Sequence, residues 1–141
     1  MNTATSKTAG GPTSVSLALA GSGGAGVMTA GNMLLEAAAQ AGYFGLMTRT
    51  SGPQIRGGEA AAMLRIATYA VEGPDDRFDA LLAVDWQNIA RFSAEIPLDA
   101  RSLLIGDPAQ GVAPEALLES GAQSVPLELK ALAKSVKGGW P

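Results

Sequence analysis

LALAGSGGAGVMTAG, residues 17–31, runs a short apolar segment into four crowded glycines, Gly21, Gly23, Gly24 and Gly26, and then into a small-residue segment of helical period. The apolar density and the abrupt glycine stop predict a strand over residues 15–20. Beyond the glycines, Val27, Gly31, Leu34, Leu35, Ala38 and Ala41 recur at spacings of three and four, which predicts a helix from Val27 to Ala41 closed by Gly42. Gly21, Gly23 and Gly26 have the spacing of a dinucleotide-binding turn. There, glycine lets a phosphate approach the backbone, and the free amides at a helix start favour an anion. The same residues also suit a tight strand-to-helix turn that holds no ligand.

Working outward, Tyr43 to Thr48 reads as a second strand, and TSGPQIRGG, residues 50–58, as a loop rich in Gly and Pro. A strand is expected over residues 61–70, where β-branched and aromatic residues gather before EGPDD turns the chain. FDALLAV, residues 78–84, reads as a buried strand ending at Asp85, which is expected to cap a short helix over 86–94. Further strands are expected at 101–105 and 123–126, with a helical turn between Pro114 and Gly121. An amphipathic helix over 127–136 would carry Leu129, Leu132, Ala133 and Val136 on one face. This alternation predicts an α/β fold: three layers, α/β/α, around an open, mostly parallel or mixed sheet. Residues 1–13 read as a disordered tail and 14–141 as one domain. The ending KGGWP predicts a polypeptide that continues.

The loop after the second strand adds chemistry. Ser51 brings a hydroxyl, Arg56 a guanidinium fork for carboxylate or phosphate, and Gly52, Gly57 and Gly58 an approachable backbone. In an open α/β sheet such loops gather at the carboxyl edge, so this one is expected to face the first glycine turn and form a site for an anionic ligand. Taken alone, Arg56 could equally pair with Glu59. An ordinary NAD site would also place an acid about 20 residues past the glycines. No carboxylate lies between Glu36 and Glu59. Arg49 keeps open a stand-alone NADP-binding module, and a purely structural interaction domain is a third reading.

Composition narrows the chemistry. The 141-residue chain contains no cysteine and no histidine, so it has no thiolate nucleophile, no cysteine ligand for iron–sulfur clusters and no Ser-His-Asp triad of its own. A net charge of −3 without a basic run argues against nucleic acid. No apolar run approaches the roughly 20 residues that span a bilayer, and the polar start lacks a signal-peptide core, so no membrane contact and a cytoplasmic location are expected. Hydrophobic residues at 47% against 16% charged lead us to expect apolar surface that meets a partner.

GSGGAGVMTAG followed by RTSGPQIRGGEAAAMLRI resembles the gamma subunit, or gamma domain, of the 2-oxoacid:ferredoxin oxidoreductases, which include the pyruvate, 2-oxoglutarate and indolepyruvate enzymes. That family carries a GxGGQG loop, then a small-residue helix, then S-x-G-x-x-x-R-G-G leading into a strand. Gly21, Gly23, Gly24 and Gly26 match the first motif, and Ser51, Gly52, Arg56, Gly57 and Gly58 the second. FDALLAVD and SLLIGDP extend the likeness over residues 15–137. Ala25 stands where the family usually has glutamine, and the chain stops at Pro141 where members run on, in some cases into a fused alpha domain.

The resemblance implies a reaction shared among subunits: a 2-oxo acid, CoA and oxidised ferredoxin give acyl-CoA, carbon dioxide and reduced ferredoxin. It places thiamine diphosphate, Mg and the 4Fe–4S clusters on alpha and beta partner subunits or domains. For this chain it implies a part in CoA binding and assembly. The expected contacts are Gly21, Gly23, Gly24, Gly26, Val27, Ser51, Gly52, Arg56, Gly57 and Gly58, with no residue a general acid or base.

Overall fold

The computed structural model describes residues 13–22, 26–51, 59–87 and 89–136. Its elements are β1 (Ser14–Ser22), α1 (Val27–Gln40), β2 (Phe44–Ser51), β3 (Glu59–Ala67), β4 (Ala80–Ala83), β5 (Leu103–Gly106), α2 (Glu115–Leu118), β6 (Gln123–Pro126) and α3 (Leu129–Ser135). Two 3-10 turns, Ile89–Phe92 and Pro108–Gln110, flank β5. The strands form one open sheet in the order β2-β3-β1-β4-β5-β6. β3 runs antiparallel to both β1 and β2, while β1, β4, β5 and β6 are parallel, so the sheet is mixed.

Period-two alternation sorts the strand residues onto two faces. Ala18 and Ala20 of β1, Leu81 of β4 and Leu104 of β5 share one face, covered by Ile89, Phe92, Ile96 and Leu117. Leu19, Ala62 and Leu64 share the other, covered by Val27 at the start of α1. Short elements on one side and α1 on the other give the expected three layers. Two glycines let α1 lie close to the sheet. A Cβ on Gly31 would stand 2.9 Å from both Ala62 Cβ and Met47 Sδ, and one on Gly45 would stand 2.6 Å from Leu35 Cδ1.

Several boundaries differ from the sequence expectations. The helix expected over 86–94 is only the 3-10 turn Ile89–Phe92. Side chains three apart eclipse in that geometry, so Ile89 and Phe92 enter the core together. The strand expected to reach residue 70 ends at Ala67, and Thr68 N–H donates instead to Thr13 O at 3.0 Å. The strand expected over 78–84 is confined to Ala80–Ala83, since Phe78 N–H bonds Pro97 O. That at 101–105 shifts to Leu103–Gly106, because Arg101 N–H and Asp99 N–H are taken by a turn closed on Asp99 and Ser102 side chains.

α3 forms, but none of its residues is buried, and Leu132 and Val136 stand 49% and 62% exposed. Its apolar face therefore does not join the core as its pattern implies. The tail expected over 1–13 and the KGGWP ending lie outside the described residues, apart from Thr13.

Candidate functional site

The strand directions bring the carboxyl ends of β1 and β2 to one edge of the sheet. β2 is antiparallel to β3 and β3 to β1, so β1 and β2 point the same way. The register pairs Ser22 with Glu59 and Ser51 with Ala60. Ser22 and Ser51, the last residues of β1 and β2, therefore lie at one edge, about 10 Å apart across β3. The carboxyl ends of β4, β5 and β6 reach that edge too. The connection from β1 crosses the face of Leu19, while that from β4 crosses the face of Ala18. Divergent connections of this kind mark the switch point at which open α/β sheets generally bind ligands.

Gly26 is the N-cap of α1 at φ 82° and ψ 15°, a left-handed conformation that favours glycine, and no side chain caps the helix. The first helical bond runs from Ala30 N–H to Gly26 O at 2.9 Å. The amides of Val27, Met28 and Thr29 precede it and have no intrahelical acceptor. No acidic side chain lies in that first turn, so this helix start carries free donors and partial positive charge. The Val27 side chain is buried among Leu19, Ala62 and Leu64, which leaves only its amide at the helix start. Gly21 is a buried residue within β1, paired with Ala60, and β1 continues to Ser22. Ser51 is the last residue of β2. Gly23, Gly24, Gly52, Arg56, Gly57 and Gly58 lie outside the described residues.

Asp85 is the residue that the sequence reading misplaced. Rather than capping a helix, its Oδ2 accepts from Ser22 N–H at 3.1 Å and Ser22 Oγ–H at 2.7 Å, and its Oδ1 accepts from Gln87 N–H at 3.1 Å. It thus fastens the carboxyl end of β1 to the end of β4. The signal was an acid directly after a buried strand run, a position that falls on the carboxyl edge of an α/β sheet.

Asp107, 4% exposed, acts similarly after β5: it accepts from Ala109 N–H at 2.9 Å and from Leu129 N–H at 3.0 Å. Both carboxylates accept hydrogen bonds from donors of the chain itself. Beside them, Trp86 lies over Gly106, at the wall of a cleft of about 180 Å³. Among the described residues no cluster of three or more Asp, Glu, His or Cys is arranged to hold a metal. Arg49 lies inside β2, opposite Ala62, and not beyond the strand end.

The fold is an open α/β domain with a mixed sheet and an uncapped helix start following β1. Residues 16–140 match the pyruvate ferredoxin/flavodoxin oxidoreductase family, and the chain belongs to that family. A search of curated proteins finds no match.

Solved structures share the fold. The 2-oxoglutarate:ferredoxin oxidoreductase of Magnetococcus marinus, solved with 2-oxoglutarate, coenzyme A and succinyl-CoA bound, matches with a TM-score of 0.73 and 22% identity, over 88% of this chain and 21% of that one. The gamma subunit of a keto/oxoacid ferredoxin oxidoreductase from Geobacter sulfurreducens matches with a TM-score of 0.64 and 24% identity, over 86% of this chain and 65% of that one. The pyruvate oxidoreductase subunit PORC of Thermotoga maritima matches with 0.63 and 20%, over 86% and 66%. This chain thus spans about a fifth of the first and about two thirds of the others. The resemblance to the 2-oxoacid:ferredoxin oxidoreductase family read from the two glycine motifs is borne out by that family match.

Proposed function

We propose that this chain is the gamma-type domain of a thiamine-diphosphate-dependent 2-oxoacid:ferredoxin oxidoreductase and that it contributes CoA contacts and assembly surface to the cytoplasmic complex. The observation that carries this reading is the common edge. The uncapped start of α1, with Gly26 at its cap, follows β1 at the same edge where β2 ends at Ser51, with β3 between them. CoA brings a pyrophosphate and a further phosphate, the anions such a helix start favours. A CoA-bound relative of this fold supports the choice of ligand.

Backbone amides at Val27 to Thr29, together with Gly23, Gly24, Gly52, Gly57 and Gly58, would admit the phosphates closely. Arg56 would supply a charged fork and Ser51 a hydroxyl. Thiamine diphosphate, when bound, supplies the decarboxylating chemistry, and it belongs with Mg and the 4Fe–4S clusters on the alpha and beta partners. This chain has no cysteine to ligate iron, and its described residues hold no metal-ligating cluster. Ferredoxin takes the electrons from the complex. No helix of the described residues is long and apolar enough to cross a membrane.

A dinucleotide-binding module fits less well. In that fold the second strand lies beside the first, and its end reaches the ribose. Here β3 intervenes between β1 and β2, and Arg49 lies within the strand.

The test is Arg56→Ala in the complex assembled from full chains. Loss of one charge-assisted contact corresponds to about 1.5–3 kcal/mol. The KM for CoA should therefore rise by about tenfold or more, with the assembled mass unchanged. Loss of complex in step with loss of activity would make Arg56 structural. Unchanged kinetics would remove CoA from this edge.

A further inference from the structure

At the opposite end of the sheet, β1 and β3 place Ser16 directly across from Arg65. Ser16 is 1% exposed. Its Oγ and the Arg65 Nε are buried and have no hydrogen-bond partner among the described residues. The surrounding groups are already committed. Arg65 donates through one terminal nitrogen to Gly73 O and through the other to Tyr69 Oη, each at 3.0 Å. These bonds hold the guanidinium in place, so Nε cannot turn outward without breaking them. Ser16 N–H donates to Asp79 Oδ2 at 2.8 Å, and Ser16 O accepts from Asp79 N–H at 2.8 Å.

Both orphaned atoms belong to residues bordering one small cavity, whose wall also includes Thr48, Asp75 and Phe78. It leaves about 10 Å³ for the centre of a water-sized sphere, room for one water and little else. A buried donor without a partner bears its full desolvation penalty, and although Leu46, Met63, Pro74 and Phe78 make much of the wall apolar, a water here would relieve both orphaned atoms.

We propose that this cavity is a binding site for a single structural water that bridges Ser16 Oγ and Arg65 Nε. Arginine Nε can only donate, so the water accepts there and keeps two hydrogens for Ser16 Oγ and a second acceptor in the wall, Thr48 or Asp75. A small anion is disfavoured by the Asp75 carboxylate in the same wall. The water joins the β1–β3 pair to the side chain that anchors the segment leading to β4.

The experiment is water-to-protein magnetisation transfer on the wild-type full chain, joined by a crystal structure that resolves ordered solvent. The expected result is a bound-water cross-peak at Arg65 Hε and a density peak at hydrogen-bond distance from both atoms. Ser16→Val, which fills the space with methyl groups, should abolish both. If that variant does not fold, the wild-type measurements stand alone. The proposal is overturned by a direct contact of Asp75 with Arg65 Nε, by absence of the peak, or by a bromide-exchangeable anion in its place.

Discussion

Asp85 shows how one carboxylate governs the carboxyl end of β1. It takes the N–H and the hydroxyl of Ser22 and the N–H of Gln87, so three donors depend on it. Asp85→Ala leaves these donors to find water at a partly buried edge, at a cost of about 1–3 kcal/mol. Denaturant unfolding should show that loss. A wild-type midpoint would mean that the latch is dispensable. Gly31 poses the opposite problem, an excess of atoms. A side chain there meets Ala62 Cβ and Met47 Sδ at 2.9 Å, one a strand residue with nowhere to move. Valine recovers a few tenths of a kcal/mol of helix propensity over glycine. Overpacking costs about 1–3 kcal/mol, so Gly31→Val should destabilise on balance. A variant as stable as wild type would show that α1 can lift from the sheet without cost. Gly31 was readable as part of the buried helix face, but its need to be glycine was not, because that depends on what lies beneath it.

At the scale of elements, the amino ends of β4 and β5 are joined by a cluster of charges. Arg77 makes a two-pronged contact with Asp99 at 2.8 and 3.0 Å and a further one with Asp79 at 2.7 Å, and Arg101 adds 2.9 Å to Asp99. Arg77 first, and Arg101 after it, hold the Asp99 carboxyl well below its usual value of 3.8. A carboxyl whose folded value is lowered stabilises the fold when ionised in both states, and that contribution fades as the pH falls below 3.8 toward the folded value. The stability gap between wild type and Asp99→Asn should thus be widest near neutral pH and narrow below 3.8, as followed by unfolding across pH. A gap independent of pH would exclude the charge as its source. Elements also show where periodicity misleads. Ile89 and Phe92 fit an α-helical stripe and a 3-10 turn equally well, and core space selected the turn. α3 was legible from the spacing of Leu129, Leu132, Ala133 and Val136, yet the spacing could not say that no described element would cover it.

For the whole molecule, the proposed division of labour makes a simple prediction. The isolated chain should not reduce ferredoxin with any 2-oxo acid and CoA, and activity should appear only when the thiamine- and cluster-bearing partners are added. Turnover by the isolated chain, measured as ferredoxin reduction, would overturn that assignment.

The sequence by itself determined the α/β class, the strand–glycine–helix opening, the family motifs and the exclusion of cysteine and histidine chemistry. Each of these is local, set by apolar period, by glycine where a left-handed cap is needed at Gly26, or by residue types present or missing. Tertiary structure alone decided the rest. It placed β3 between β1 and β2, which brings Ser22 and Ser51 to one edge while separating them by a strand. It sent the Asp85 side chain to Ser22, 63 residues away in sequence, and set Ser16 across from Arg65. The reason is physical: strand order and side-chain partners are fixed by long-range pairing, whose energy depends on which surfaces meet, and no local period encodes that meeting.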